Sequence, residues 1–145
     1  VDAEGEALLK SLEFSPFLIK PNLEELSGIF KTEVTKQNVK IYAEKLLSLG
    51  AQSVLVSMGN DGACLYGAGG ESLFMPAVSG KTVNTVGAGD SMLAGFLAGF
   101  LDGGAFRRAL SLGTAAGAAT AFSNGLGRGD EVAGLLDRVE VFSLS

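Results

Sequence analysis

The sequence has no histidine and no tryptophan, and its 145 residues include a single cysteine, Cys64, and three prolines. The lack of histidine excludes every mechanism built on imidazole: Ser-His-Asp triads, zincin-type metal sites and histidine acid–base catalysis. Proton transfer must fall to Asp, Glu, Lys, Tyr or Cys. One cysteine cannot close an internal disulfide, which fits a reducing compartment. Charge is also sparse, at 19% of residues with a net −5, so a broad nucleic-acid face of clustered Lys and Arg is not expected. The most apolar run, residues 92–101, is well short of the roughly 20 residues that span a membrane, and no signal-peptide pattern opens the sequence. The expectation is a cytoplasmic protein with neither nucleic acid nor membrane as partner.

What is abundant is apolar residues, 47%, and glycine, 21 residues, where average usage would give about ten. The first places the chain among globular proteins rather than disordered ones. The second implies many tight turns and close backbone approaches, as in α/β domains that bind phosphates. A polyanion such as ATP is compatible with the negative charge, because helix N-termini and Mg²⁺ supply positive field locally.

Along the chain, Val1-Asp2 carries no initiator Met and leads into a helical pattern (Ala7, Leu8, Leu12), as if a preceding strand were cut. Residues 17–20 read as a short buried strand ended by Pro21-Asn22, with Pro21 suited to the first turn of a helix over 23–29. A second helix is expected over 35–49, with Thr35 as N-cap and Gly50 as its stop. The β-branched run 53–57, the turn Gly59-Asn60-Asp61-Gly62 and residues 63–66 give a hairpin, and 72–75 a third strand. Further helices are expected over 87–101, 105–122 and 132–136, with a final strand at 139–142. Strands alternating with helices suggest an α/β fold, a mostly parallel sheet flanked by helices with one antiparallel hairpin.

The chemistry concentrates in Asn84-Thr85-Val86-Gly87-Ala88-Gly89-Asp90-Ser91. Two glycines and an alanine at a helix start leave backbone N–H groups bare, and with the helix dipole they form a place for a phosphoryl group. A carboxylate in that first turn, Asp90, can accept the proton of an attacking hydroxyl. Read alone, the same residues are a Gly-rich turn whose Asp merely complements the dipole. Residues 84–97 together resemble the second signature of the PfkB (ribokinase-like) carbohydrate kinase family, matching at Asn84, Thr85, Gly87, Ala88, Gly89, Asp90, Ala94, Gly95, Phe96 and Leu97.

That resemblance implies a ribokinase-like fold, ATP and Mg²⁺ as cofactors, Asp90 as catalytic base, and Gly87, Ala88 and Gly89 as the anion hole. Asn22 and Glu25, in Lys20-Pro21-Asn22-Leu23-Glu24-Glu25, resemble the family's Asn-x-x-Glu motif, which positions Mg²⁺ largely through water; they read equally as an Asn N-cap with acids in the first turn. Ser57, Met58, Gly59, Asn60, Asp61 and Gly62 resemble the turn that contacts nucleotide phosphates, beside Gly89 and Asp90. The likeness runs along the whole chain but corresponds to the C-terminal half of a family member. It is the nucleotide-binding and catalytic portion of one domain, with the first signature, the sugar-contacting residues and the lid, through which a homodimer would form, expected upstream of Val1.

Within the family, residues 17–22, 90–96 and 119–125 are most similar to 1-phosphofructokinases and tagatose-6-phosphate kinases. The implied reaction is phosphorylation of a sugar phosphate, fructose 1-phosphate to fructose 1,6-bisphosphate; tagatose 6-phosphate, or a non-catalytic nucleotide-binding module, is the alternative. Asn84 departs from ribokinases, which carry an Asp there in a segment linked to a monovalent cation. Other signals carry less. Gly80-Lys81-Thr82 lacks the P-loop's first glycine, since position 75 is Met; Gly95-x-x-x-Gly99 reads as close helix packing, and Cys64 as a small core residue.

Overall fold

The computed structural model describes residues 1, 3 and 5–144; Asp2, named above with the chain start, Glu4 and Ser145 lie outside the described residues. The chain forms two compact units, one of residues 1–59, 63–74 and the chain end from Ser143, the other of residues 60–62 and 75–142.

In the first unit, β1 (Ser53–Ser57) and β2 (Ala63–Gly67) form the antiparallel hairpin, in register from Ser53 opposite Gly67 to Ser57 opposite Ala63. With β3 (Ser72–Met75) and β4 (Phe142–Ser143) they make, among the described residues, a sheet ordered β1-β2-β3-β4. Val54, Leu55 and Val56 are all buried, as is every residue of β2. Both faces are therefore covered, which explains continuous apolar runs in place of alternation. On this sheet lie α1 (Gly5–Ser11), α2 (Leu23–Phe30) and α3 (Val39–Ser48), whose buried Leu8, Leu26, Val39, Ala43 and Leu46 share one core with Val54 and Val56.

Residues 17–20 do not form a regular strand. They run parallel beside β1 through isolated bridges, Ile19 with Val54 and Asn22 with Ser57. Ile19 N–H donates to Ser53 O, and Leu55 and Ser57 N–H donate to Ile19 O and Pro21 O. Pro21 has no N–H to continue the ladder. Pro21 also precedes the N-cap, Asn22, and so lies outside the first turn of α2. The helix expected from Thr35 begins at Val39 instead. Asn38 Oδ1 accepts the Thr35 N–H at 2.7 Å, which folds residues 35–38 into a turn. Gly50 does stop α3, with φ at +126° and no room for a Cβ, which would lie 2.3 Å from Leu12 O.

The second unit is built on α4 (Ala88–Leu101) against α5 (Phe106–Phe122). The seam is glycine. A Cβ on Gly95 would lie 2.8 Å from Ala116 Cβ, one on Gly99 2.9 Å from Ala109 Cα, one on Gly113 2.7 Å from Met92 O and one on Gly117 3.1 Å from Ala88 O. The Gly95/Gly99 spacing thus serves the close packing of α4 on α5, with Phe96 fully buried beside it. α6 (Gly129–Leu136) starts three residues before its expected position, because Glu131 accepts the Arg128 N–H at 2.7 Å and closes the first turn. Val139 still bonds to Leu136 O, which holds it in the helix end and moves the final strand to Phe142. Among the described residues no helix is long and apolar enough to cross a membrane.

Candidate active site

Within the second unit the loop before α4 is pinned from both ends. Val83 and Asn84 N–H donate to Ala121 O at 2.8 and 3.1 Å, and Asn84 Oδ1 accepts the Val86 N–H at 3.0 Å. The chain then turns through Gly87, whose φ of 78° lies in the left-handed region open to glycine. Gly87 is the N-cap and brings no side-chain oxygen to the first-turn N–H groups. Ala88 N–H turns back to Thr85 O at 3.2 Å, and Ser91 N–H closes onto Gly87 O at 2.9 Å. Gly89 and Asp90 are exposed in this turn. Uncapped amides and a carboxylate therefore stand together at one helix end, where the helix dipole favours negative charge.

In the first unit the expected Asn22–Glu25 pair forms a reciprocal cap. Asn22 Oδ1 accepts the Glu25 N–H at 2.8 Å, and Glu25 Oε2 accepts the Asn22 N–H at 2.9 Å. The capping reading is thus realised, and it leaves Glu25 a second carboxylate oxygen. Ser57 lies beside Asn22 through the bridge at the C-terminal end of β1, the end of a strand where α/β proteins place their ligands. Glu24 and Glu25 also line an open groove of about 460 Å³ with Gly5, Gly28 and Ile29. Among the described residues no group of three or more His, Cys, Asp or Glu could chelate a cation. A Mg²⁺ here would draw its other ligands from phosphate and water, as this ion readily does.

The turn after β1 is a single 3-10 turn, Gly59–Asp61, with Gly59 at φ 57° and Gly62 at φ 96°. Gly59, Asn60 and Asp61 are exposed, whereas Met58 is buried in the core of the first unit and offers only its backbone. Gly62 is closely packed, since a Cβ there would lie 2.0 Å from Met75 O. Of the expected residues, Asn22, Glu25, Ser57, Met58 and Gly59 belong to the first unit, and Asn60, Asp61, Gly62, Gly87, Ala88, Gly89 and Asp90 to the second.

The sequence reading gave no role to Thr120, yet it is only 1% exposed, and its hydroxyl bonds to Ser91 beside Asp90. A polar residue on the buried face of an alanine-rich helix was the available signal. Cys64 is buried in β2; desolvation pushes its thiol pKa up, and the neighbouring Tyr66 phenol is likewise raised, chiefly by burial. A thiol held protonated is no nucleophile.

The start of α4 thus combines a glycine turn with a carboxylate in its first helical turn. The sequence pattern of the pfkB family carbohydrate kinases matches residues 2–132, and the chain belongs to that family. It is 46% identical to a Bacillus subtilis 1-phosphofructokinase over 99% of its own length and 48% of the relative's. It is 42% identical to a Bacillus licheniformis D-tagatose-1-phosphate kinase over 88% and 42%. Phosphofructokinase-2 from Escherichia coli in complex with substrates and products superposes with a TM-score of 0.86 at 30% identity, covering 94% of this chain and 46% of that one. Arabidopsis thaliana ribokinase complexed with ribose and ATP gives 0.75 at 25%, over 83% and 40%. The fold is therefore ribokinase-like, and the chain spans about half the length of the relatives it matches.

Proposed function

We infer that this chain supplies the nucleotide-binding and catalytic portion of an ATP-dependent ketohexose-phosphate kinase, acting on fructose 1-phosphate to give fructose 1,6-bisphosphate. The observation that carries this reading is the exposed Asp90 carboxylate in the first turn of α4, directly after a glycine N-cap. In the proposed step the sugar hydroxyl oxygen attacks the γ-phosphorus of ATP, the bond to ADP breaks, and the hydroxyl proton passes to Asp90. The N–H groups of Gly87 and Gly89, with that of Ala88 once it leaves Thr85 O, would hold the moving phosphoryl oxygens, and Ser57–Gly62 the nucleotide phosphates. Asn22 and Glu25 would stand behind the waters of Mg²⁺. That ion, when bound, supplies positive charge shared between phosphoryl oxygens. The reaction belongs in the cytoplasm, where ATP is made and a free Cys64 stays reduced.

The second ketohexose named among the relatives is tagatose 1-phosphate, where the sequence reading had the 6-phosphate. The relatives at 42–46% identity are named for sugars with the phosphate on C1, which supports a 1-phosphate substrate, while a 6-phosphofructokinase stands further off at 32%. The test replaces the matched segment of the B. subtilis 1-phosphofructokinase with this chain. ADP release that depends on fructose 1-phosphate is expected. A folded chimera that binds Mg·ATP but turns over neither 1-phosphate would sink the reading.

Glu25 offers a separate check. Gln can keep the reciprocal cap, since its side-chain oxygen still accepts the Asn22 N–H. Glu25→Gln should therefore leave stability within about 0.5 kcal/mol. It should raise the Mg²⁺ concentration at half-maximal rate more than the KM for sugar. Glu25→Ala should in addition lose about 1 kcal/mol of stability with the cap. An unchanged Mg²⁺ dependence in Glu25→Gln leaves capping as the whole role.

A further inference from the structure

Two threonines are buried in α5, and their surroundings differ. Thr114 Oγ1 finds no partner among the described residues. Thr120 donates its hydroxyl proton to Ser91 Oγ at 2.8 Å and accepts the Gly127 N–H at 2.9 Å. A threonine inside a helix commonly returns its hydroxyl to the carbonyl one turn back. Here both sides of the hydroxyl are used on other segments, 29 and 7 residues away in sequence.

Those segments frame the catalytic turn. Ser91 follows Asp90, and its own N–H closes the first turn of α4 onto Gly87 O. Gly127 is pressed against the end of α5, where a Cβ would lie 2.6 Å from Ala119 Cβ and 2.8 Å from Thr120 N. Beside it, Leu126 Cδ2 sits 3.2 Å from where a Cβ of Gly87 would be. The helix start is also held by the Val83 and Asn84 bonds to Ala121 O before the turn and by the contact of Gly117 with Ala88 O, but neither bonds a residue of the turn from Gly89 to Ser91. Asp90 is exposed, so its place is set by the backbone turn it sits in.

We propose that Thr120 is a positioning residue: its buried hydroxyl ties the first turn of α4 to the loop at Gly127, and so sets where the Asp90 carboxylate and the Gly87–Gly89 amides point. The consequence for turnover rests on the kinase reading above. The tie itself does not. A helix start free to shift by about 1 Å would lose on the order of 10²-fold in rate, because proximity effects fall off that steeply. Nucleotide affinity is spread over several segments and should move little.

The experiment compares Thr120→Val, which keeps volume and removes the hydroxyl, with Thr120→Ser, which keeps the hydroxyl, in the chimera and in this chain. Thr120→Val should lower kcat by about 10–100-fold with KM for Mg·ATP within about threefold, and Thr120→Ser should restore kcat to within about threefold. Amide hydrogen exchange gives a readout independent of activity. In Thr120→Val the Gly127 and Ser91 amides should exchange about tenfold faster, as expected for one lost hydrogen bond, and Thr120→Ser should bring both back. Equal loss of rate in both variants would overturn the proposal in favour of simple packing. So would a Ser91 amide whose exchange ignores the hydroxyl. If the unsubstituted chimera has no kinase activity, the function reading fails, and Ser91 exchange alone decides the tie.

Discussion

Asp90→Asn is expected to lower kcat by roughly 10²–10⁴, the range for losing a positioned base, while the affinity for Mg·ATP stays within about threefold. The substitution keeps shape and hydrogen-bonding reach and removes only the ability to hold a proton. Asp90 is exposed, so little packing is lost. Its favourable interaction with the positive end of α4 is lost as well, which at a surface amounts to about 0.3–1 kcal/mol of stability. Removing a negative charge beside the proposed phosphate site should not weaken ATP binding. The two accounts of this residue therefore separate cleanly. If Asp90 only complements the helix dipole, the variant shows the small stability loss and a kcat within about threefold of the unsubstituted protein. Steady-state kinetics, calorimetric titration with Mg·ATP and a urea melt distinguish them.

The largest effect on stability is expected at Gly62. Gly62 and Gly70 share a φ of +96°, yet their surroundings are opposite. A Cβ on Gly62 would lie 2.0 Å from Met75 O and 2.8 Å from Ala77 N, whereas one on Gly70 would have nothing within 4 Å. Gly70→Ala thus isolates the left-handed backbone strain, on the order of 1–3 kcal/mol. Gly62→Ala adds a collision with main-chain atoms that cannot rotate away, a further ~1–3 kcal/mol or more. The measurement is the urea midpoint of each variant at unchanged slope. Because Gly62 closes the turn Gly59–Asp61, its variant should also weaken Mg·ATP binding, and Gly70→Ala should not. Equal midpoints for the two variants would mean that Met75 and Ala77 move aside.

Much of the local structure is legible without coordinates. The run Ser53–Ser57 and the segment Ser72–Met75 form strands over their expected bounds, since β-branched and apolar runs closed by Gly and Pro leave few alternatives. Gly87 to Asp90 announce a helix start, and the structure has that start, with the Ala88 amide turned back to Thr85 O. Where neighbouring residues offer competing hydrogen bonds, the helix starts shift from their expected positions. Thr35 and Asn38 both suit a helix start, and the Asn38 side chain that turns back to the Thr35 N–H moves α3 to Val39. Glu131 similarly lengthens α6 toward Arg128.

What the sequence by itself determined is chemistry of short range: no imidazole, a single thiol, a glycine turn followed by a carboxylate, and an Asn-x-x-Glu pair three residues apart. These features are fixed by residue identity and by dihedral preference within a few residues. The tertiary structure decided which glycines are indispensable and which polar groups act together. Gly62 and Gly70 are indistinguishable until Met75 is brought against one of them. Thr120 is one polar residue in an alanine-rich helix until packing sets Ser91, 29 residues earlier, within 2.8 Å of it. Hydrogen bonds and steric contacts act over a few ångströms in space, and only the fold determines which distant residues come that close.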